Sequence, residues 1–125
     1  MFEVTIENSF DFRSQDYARL FANSAATAFQ HPIWLANLYD KLIALNDVEP
    51  LVIVVRMGAD GRLAMVLPLV KRRYAMLKIV GFADMDVSDY ISPVVDHATF
   101  QRIIDDPAAI AAIGNCIRPY DILRI

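Results

Sequence analysis

Cysteine is nearly missing from this chain, and Cys116 is the single one. No internal disulfide can form, and a zinc site built from several cysteines is excluded. Such usage fits a reducing compartment, so the expected location is the cytoplasm. Histidine is scarce as well. His31 and His97 lie far apart, without the close spacing of a metal-binding helix, and no metal site is expected. A basic excess is also lacking. The net charge is −3, which argues against a general nucleic-acid binder, whose footprint is a basic face. The one basic run, Lys71, Arg72 and Arg73, reads as a solvated strand end rather than a phosphate patch. No apolar run approaches the roughly 20 residues of a membrane-spanning helix. Glu3, Glu7, Asp11 and Asp16 break up residues 1–30, where a signal peptide would keep an apolar stretch. There is no internal repeat, low-complexity tract or linker.

What the chain has in surplus is apolar side chains. At 125 residues it fits one domain, residues 1–125. Its hydrophobic fraction of 56% exceeds the typical apolar share of about 45–50%. That surplus predicts a hidden interface, with a missing carboxy-terminal half or with another copy of the chain. The bland alternative is a small, very apolar α/β domain.

The pattern along the chain predicts the order β-α-α-β-β-β-β-α-α-β. Residues 2–7 alternate apolar and polar, as a half-buried strand does. Ser14 and Asp16 offer N-caps, and Tyr17, Leu20, Phe21 and Ala25 follow at helical spacing to an end near Ala26. After a break at residues 29–31, Pro32 suits the first position of a second helix, which Asn46 and Asp47 end. Residues 51–57 alternate too little for a one-faced strand and read as buried on both faces. The turn Gly58-Ala59-Asp60-Gly61 then returns residues 62–70 antiparallel to them. Pro68 predicts a bulge or an edge position. Residues 74–80 form a further strand closed by Gly81, followed by an acidic loop to Asp89 and a short extended segment at 90–95. Asp96 or Thr99 caps a helix to Ile104, Asp106 and Pro107 start another over residues 108–117, and residues 120–125 make a last strand.

Few constellations carry chemistry. Asp84, Asp86 and Asp89 lack the later glutamate and the turn glycine of a calcium loop and read as solvated. Cys116, among Ala112, Ile113 and Ile117, reads as a packing cysteine. Ser92 has no histidine nearby and no nucleophile elbow. The run Lys78-Ile79-Val80-Gly81-Phe82-Ala83 approaches the R/Q-x-x-G-x-G/A loop whose backbone N–H groups hold acyl-CoA pyrophosphate. Lysine stands where that loop has Arg or Gln, and carboxylates follow where a helix should. Lys78, Gly81 and Ala83 therefore make a weak cofactor-binding candidate, and the plainer reading is a strand ending in a glycine turn. Trp34 and Tyr39 form either a ligand wall or part of the core. Asp89 and Tyr90, at a loop-to-strand junction, are the foremost substrate-binding pair. Their structural alternative is a turn cap and a packed ring with its hydroxyl at the surface.

The ordered succession of segments resembles a family. It comprises Phe29-Gln30-His31-Pro32-Ile33-Trp34-Leu35, Pro50-Leu51-Val52-Ile53-Val54, residues 61–69, Lys78-Ile79-Val80-Gly81, Asp89-Tyr90, Pro93, and Tyr120-Asp121-Ile122-Leu123. This resembles the amino-terminal half of the CelD-type and FemAB-like acetyltransferases of the GNAT superfamily, bacterial proteins associated with cellulose or exopolysaccharide biosynthesis. The resemblance implies a GNAT-like α/β (α+β) fold, a mixed and largely antiparallel sheet flanked by helices. It implies acetyl-CoA or another acyl-CoA as cofactor of a two-half parent, with the donor site in the second half and none on this chain alone. It places Asp89 and Tyr90 near the cleft between halves and leaves the catalytic base unassigned. The expectation is a domain that is not catalytic alone; the alternative is a non-enzymatic interaction or dimerisation module.

Overall fold

The computed structural model of the protein describes residues 1–25, 30–43, 48–74, 76–82, 93–118, 120 and 122–124. They build a mixed α+β fold, one curled sheet with helices on both faces. Strand β1 (Phe2–Ile6) leads into helices α1 (Gln15–Ala22) and α2 (Pro32–Asn37). Strands β2 (Glu49–Met57), β3 (Leu63–Tyr74), β4 (Leu77–Phe82) and β5 (Val94–Val95) follow, then helices α3 (Phe100–Ile104) and α4 (Pro107–Ile117), and strand β6 (Ile122–Arg124). The sheet order is β1-β2-β3-β4-β6, with β5 also on β3. All pairings are antiparallel except β4 with β6, which is parallel.

Strand β2 explains why the sheet sits in the middle. Val52 and Val54 point into one apolar cluster with Tyr17 and Leu20 of α1 and Leu35 and Ala36 of α2. Leu51, Ile53 and Val55 point into a second cluster with Ile103, Ala109 and Ile117 of α3 and α4. All five are at most 2% exposed, which is why alternation vanishes from this stretch. Burying each such side chain contributes about 1.5–3 kcal/mol. On β1 one face suffices, so Phe2 and Val4 pack while Glu3 and Thr5 face water.

The β2–β3 hairpin pairs Glu49–Arg56 against Leu63–Lys71 as the sequence predicts, and Gly61 takes the left-handed conformation at φ +72°. Pro68 corrects its expectation. It causes no bulge and lies in a central strand; the bulge is at Val55/Arg56, where Ala64 is the extra residue. The reason is bond direction. Val52, opposite Pro68, donates its N–H to Asn8 Oδ1 at 3.1 Å and accepts Glu7 N–H at 2.8 Å, both on the β1 side. Pro68 therefore aims its missing N–H away from β2. On that other side β4 reaches as far as Leu69 and β5 resumes at Val66. The imide falls in the interval between them and interrupts no ladder bond of the described residues.

Strand limits also shift. β3 continues to Tyr74, so the basic run lies inside a strand rather than at its end, with Lys71 and Arg72 half-buried. β4 begins at Leu77 and passes through Gly81 to Phe82, so Gly81 does not close it. The first helix stops at Ala22, four residues before the expected end. The second changes after Asn37 into a π-helical turn, Leu38–Ile43. The helix starts follow the caps. Ser14 Oγ accepts from Tyr17 N–H, and Asp106 Oδ1 accepts from Ala108 and Ala109 N–H. Thr99 sits at the N-cap of α3 but makes no capping bond, and its hydroxyl donates instead to the Asp96 carbonyl at 3.2 Å. No helix of the described residues is long and apolar enough to cross a membrane.

Candidate functional site

The turn from β1 into α1 is tied down by a run of hydrogen bonds. Glu7 N–H bonds Val52, and Asn8 Oδ1 takes the Val52 N–H. Phe10 N–H donates to Glu7 at 3.0 Å, and Asp11 Oδ1 accepts Arg13 N–H at 2.9 Å. Ser14 N–H then returns to the Asp11 carbonyl at 3.2 Å. This loop faces the end of α2, the π-helical turn and the start of β2. Between them is a cavity of about 380 Å³, lined by Asn8, Ser9, Phe10, Asp11, Phe12, Arg13, Ala36, Tyr39, Asp40 and Pro50.

Its floor is aromatic. Phe12 stacks on Tyr39 with ring centres 5.2 Å apart and planes 16° from parallel. Phe10 and Tyr17 meet Phe12 edge to face at 5.0 and 5.1 Å, the arrangement ring quadrupoles favour. Both phenols are anchored inward: Tyr17 donates to the Gln30 carbonyl at 2.6 Å and Tyr39 to the Leu69 carbonyl at 2.9 Å. Burial pushes both hydroxyls well above their ordinary ionisation range, with nearby Tyr17 adding to the effect on Tyr39. The rim is polar. Arg13 Nη1 donates to Asp40 Oδ2 at 2.9 Å, joining the loop to the π-helical turn. Those side chains stand 53% and 57% exposed, so the pair adds little stability.

A second charged contact lies nearby but outside the cavity. The Arg56 guanidinium donates both to Glu7 Oε2 and, at 3.2 Å, to Glu7 Oε1. The hydrogen bond from Arg56 lowers the Glu7 carboxyl below its ordinary value, against opposing desolvation, and Thr5 Oγ1 adds a further bond at 2.7 Å.

The residues expected from sequence to form a site do not converge here. Asp89, Tyr90 and Ala83 lie outside the described residues, as do Asp84, Asp86 and Ser92. Trp34 packs half-buried against the α1/α2 cluster and does not line the cavity, whereas Tyr39 does. The shared wall is thus divided, with one aromatic in the core and one at the cavity. Lys78 is exposed on β4 opposite Arg73, and Gly81 sits between Val70 and Arg124. His31 caps α2, its Nδ1 accepting Ile33 N–H at 3.1 Å. His97 is exposed. Cys116 is partly buried, and burial raises its thiol pKa. Among the described residues no three of His, Cys, Asp and Glu gather as a metal site would require. The loop at residues 8–13 was not singled out in the sequence. Its signal is two phenylalanines alternating with polar residues between a strand and a helix cap. No family model, curated protein or solved structure matches the chain.

Proposed function

We propose that the domain is the amino-terminal GNAT-like half of an acyl-CoA-dependent N- or O-acyltransferase that modifies a sugar-based acceptor, and that it is not catalytic alone. What supports this is one feature of the sheet. An antiparallel run β1-β2-β3-β4 is extended by β6 in parallel to β4, with helices on both faces, as the family resemblance implies for each half. In the reaction, the acceptor's nitrogen or oxygen attacks the thioester carbonyl. The carbon–sulfur bond breaks, the acceptor's proton passes to a base, and the thiolate leaves. The second half would supply the donor site and dock beside this one. Calorimetric titration of the chain with acetyl-CoA tests the reading, and no saturable binding is expected. Saturable micromolar binding would place the donor on this half and overturn the division of labour.

One observation favours a second reading, a non-enzymatic module that docks a partner or a second copy. Phe100 and Ile104, four apart on α3, and Ile110 on α4 stand 43%, 45% and 49% exposed, more apolar surface than those short helices need leave bare. Sedimentation at high protein concentration distinguishes it. A clean monomer counts against self-association.

A further inference from the structure

We infer that the cavity between the β1–α1 loop and the π-helical turn is a carbohydrate site that takes one neutral sugar ring. This goes beyond acyl transfer and does not depend on it. The argument begins with charge. Among the described residues Arg13 is the one cation lining the cavity, and it is paired with Asp40. A phosphate would have to compete with that carboxylate and face Asp11 as well. A cation would find Asp40 already paired with Arg13, and one Asp11 oxygen already holding the Arg13 N–H. The lining, with two carboxylates and one guanidinium, thus disfavours an anion.

Shape narrows the class further. A flat heteroaromatic ring wants a slot between two parallel faces. Here the parallel pair, Phe12 and Tyr39, is closed upon itself. What remains is the half-buried side of Phe10 and Tyr39, a surface suited to the apolar C–H face of a pyranose. Around it stand groups that both donate and accept. Asn8 keeps its amide NH₂, Ser9 its hydroxyl, and Asp11 and Asp40 a second carboxylate oxygen each, none of them hydrogen-bonded among the described residues. Adjacent sugar hydroxyls need such a mixture, since each donates once and accepts as well. The volume of about 380 Å³ is at the lower end for ligand pockets and suits a single ring. The loop's backbone bonds hold the rim before a ligand arrives, which reduces the ordering cost of binding.

The test is a nitrogen–proton NMR titration of the whole chain with methyl β-D-glucopyranoside and methyl β-D-galactopyranoside, and with ethanolamine and inorganic phosphate as charged probes. A glycoside is expected to saturate with a Kd of millimolar order, its shifts confined to residues 8–13 and 36–40 and to the neighbours of Pro50, which has no N–H of its own. Phe10→Ala should weaken it at least about tenfold. Because Phe10 also packs on the core, Arg13→Gln and Asp11→Asn serve as variants at exposed positions that keep the fold, and each should weaken the glycoside several-fold. Lack of saturation by both glycosides, shifts that map elsewhere, affinity unchanged in Arg13→Gln and Asp11→Asn, or tighter binding of phosphate or ethanolamine would each overturn the assignment. Acetyl-CoA binding by this chain would overturn the division of labour between the two halves and leave this site standing.

Discussion

The Tyr39 hydroxyl donates to the carbonyl oxygen of Leu69 at 2.9 Å, joining positions 30 apart in sequence. It fastens the π-helical turn to the central strand β3 and holds one ring of the cavity floor in place. Tyr39→Phe keeps the ring and its stacking on Phe12 but removes the donor. A loss of about 0.5–1.5 kcal/mol in urea unfolding is expected. An unchanged midpoint would mean that the bond carries no net stability.

The buried phenols set an alkaline limit. Both Tyr17 and Tyr39 are raised above their ordinary value of 10.0, chiefly by burial. A raised folded-state pKa gives stability that is full below the unfolded value and is lost as pH rises through the folded one. Stability should therefore decline above about pH 10. Ultraviolet difference absorbance should show two of the five tyrosines ionising only as the chain unfolds. Early, independent titration of all five would contradict the buried placement.

Glu7 governs an acid limit of opposite sense. Its carboxyl lies below the ordinary value of 4.5 because Arg56 hydrogen-bonds the ionised form. That stability is present above 4.5 and lost as pH falls through the folded value. With both side chains about one-third exposed, it amounts to no more than about 1 kcal/mol. Glu7→Gln should flatten this part of the acid unfolding curve while changing stability little once the pH is below the folded-state titration. A mutant curve parallel to the parent's from neutral pH downward would dismiss the linkage.

His31 caps α2 through Nδ1, an acceptor that exists only on the neutral ring. Replacing it with alanine should cost about 1 kcal/mol, and asparagine should restore most of that. Chemical denaturation of the two variants side by side decides this. Equal stability of His31→Ala and His31→Asn would show that the side chain does not act as a cap.

Local chemistry was legible wherever a few neighbouring residues settle the outcome. Ser14, Pro32, Asp106 and Pro107 mark helix starts by satisfying or lacking N–H groups in the first turn. Gly58 to Gly61 marks a turn for the same kind of reason. The two-faced burial of β2 was legible because both faces demand apolar side chains. Strand ends were less so. Lys71 and Arg72 look like solvent-facing residues, yet pairing with β4 carries β3 past them, and pairing is not a local property. Pro68 misled for a related cause, since its effect depends on which neighbour its missing N–H faces.

The sequence by itself determined the class of fold, the succession of strands and helices, and most caps and turns. Each follows from periodicity or from backbone groups satisfied within a turn. Only the tertiary structure decided where the cavity lies, which of Trp34 and Tyr39 borders it, and that Arg13 meets Asp40 across its rim. Those relationships join segments that contribute separately to β1, α2 and β2. Asn8 reaches Val52 across 44 positions, and no short-range pattern encodes a contact that sheet pairing brings about.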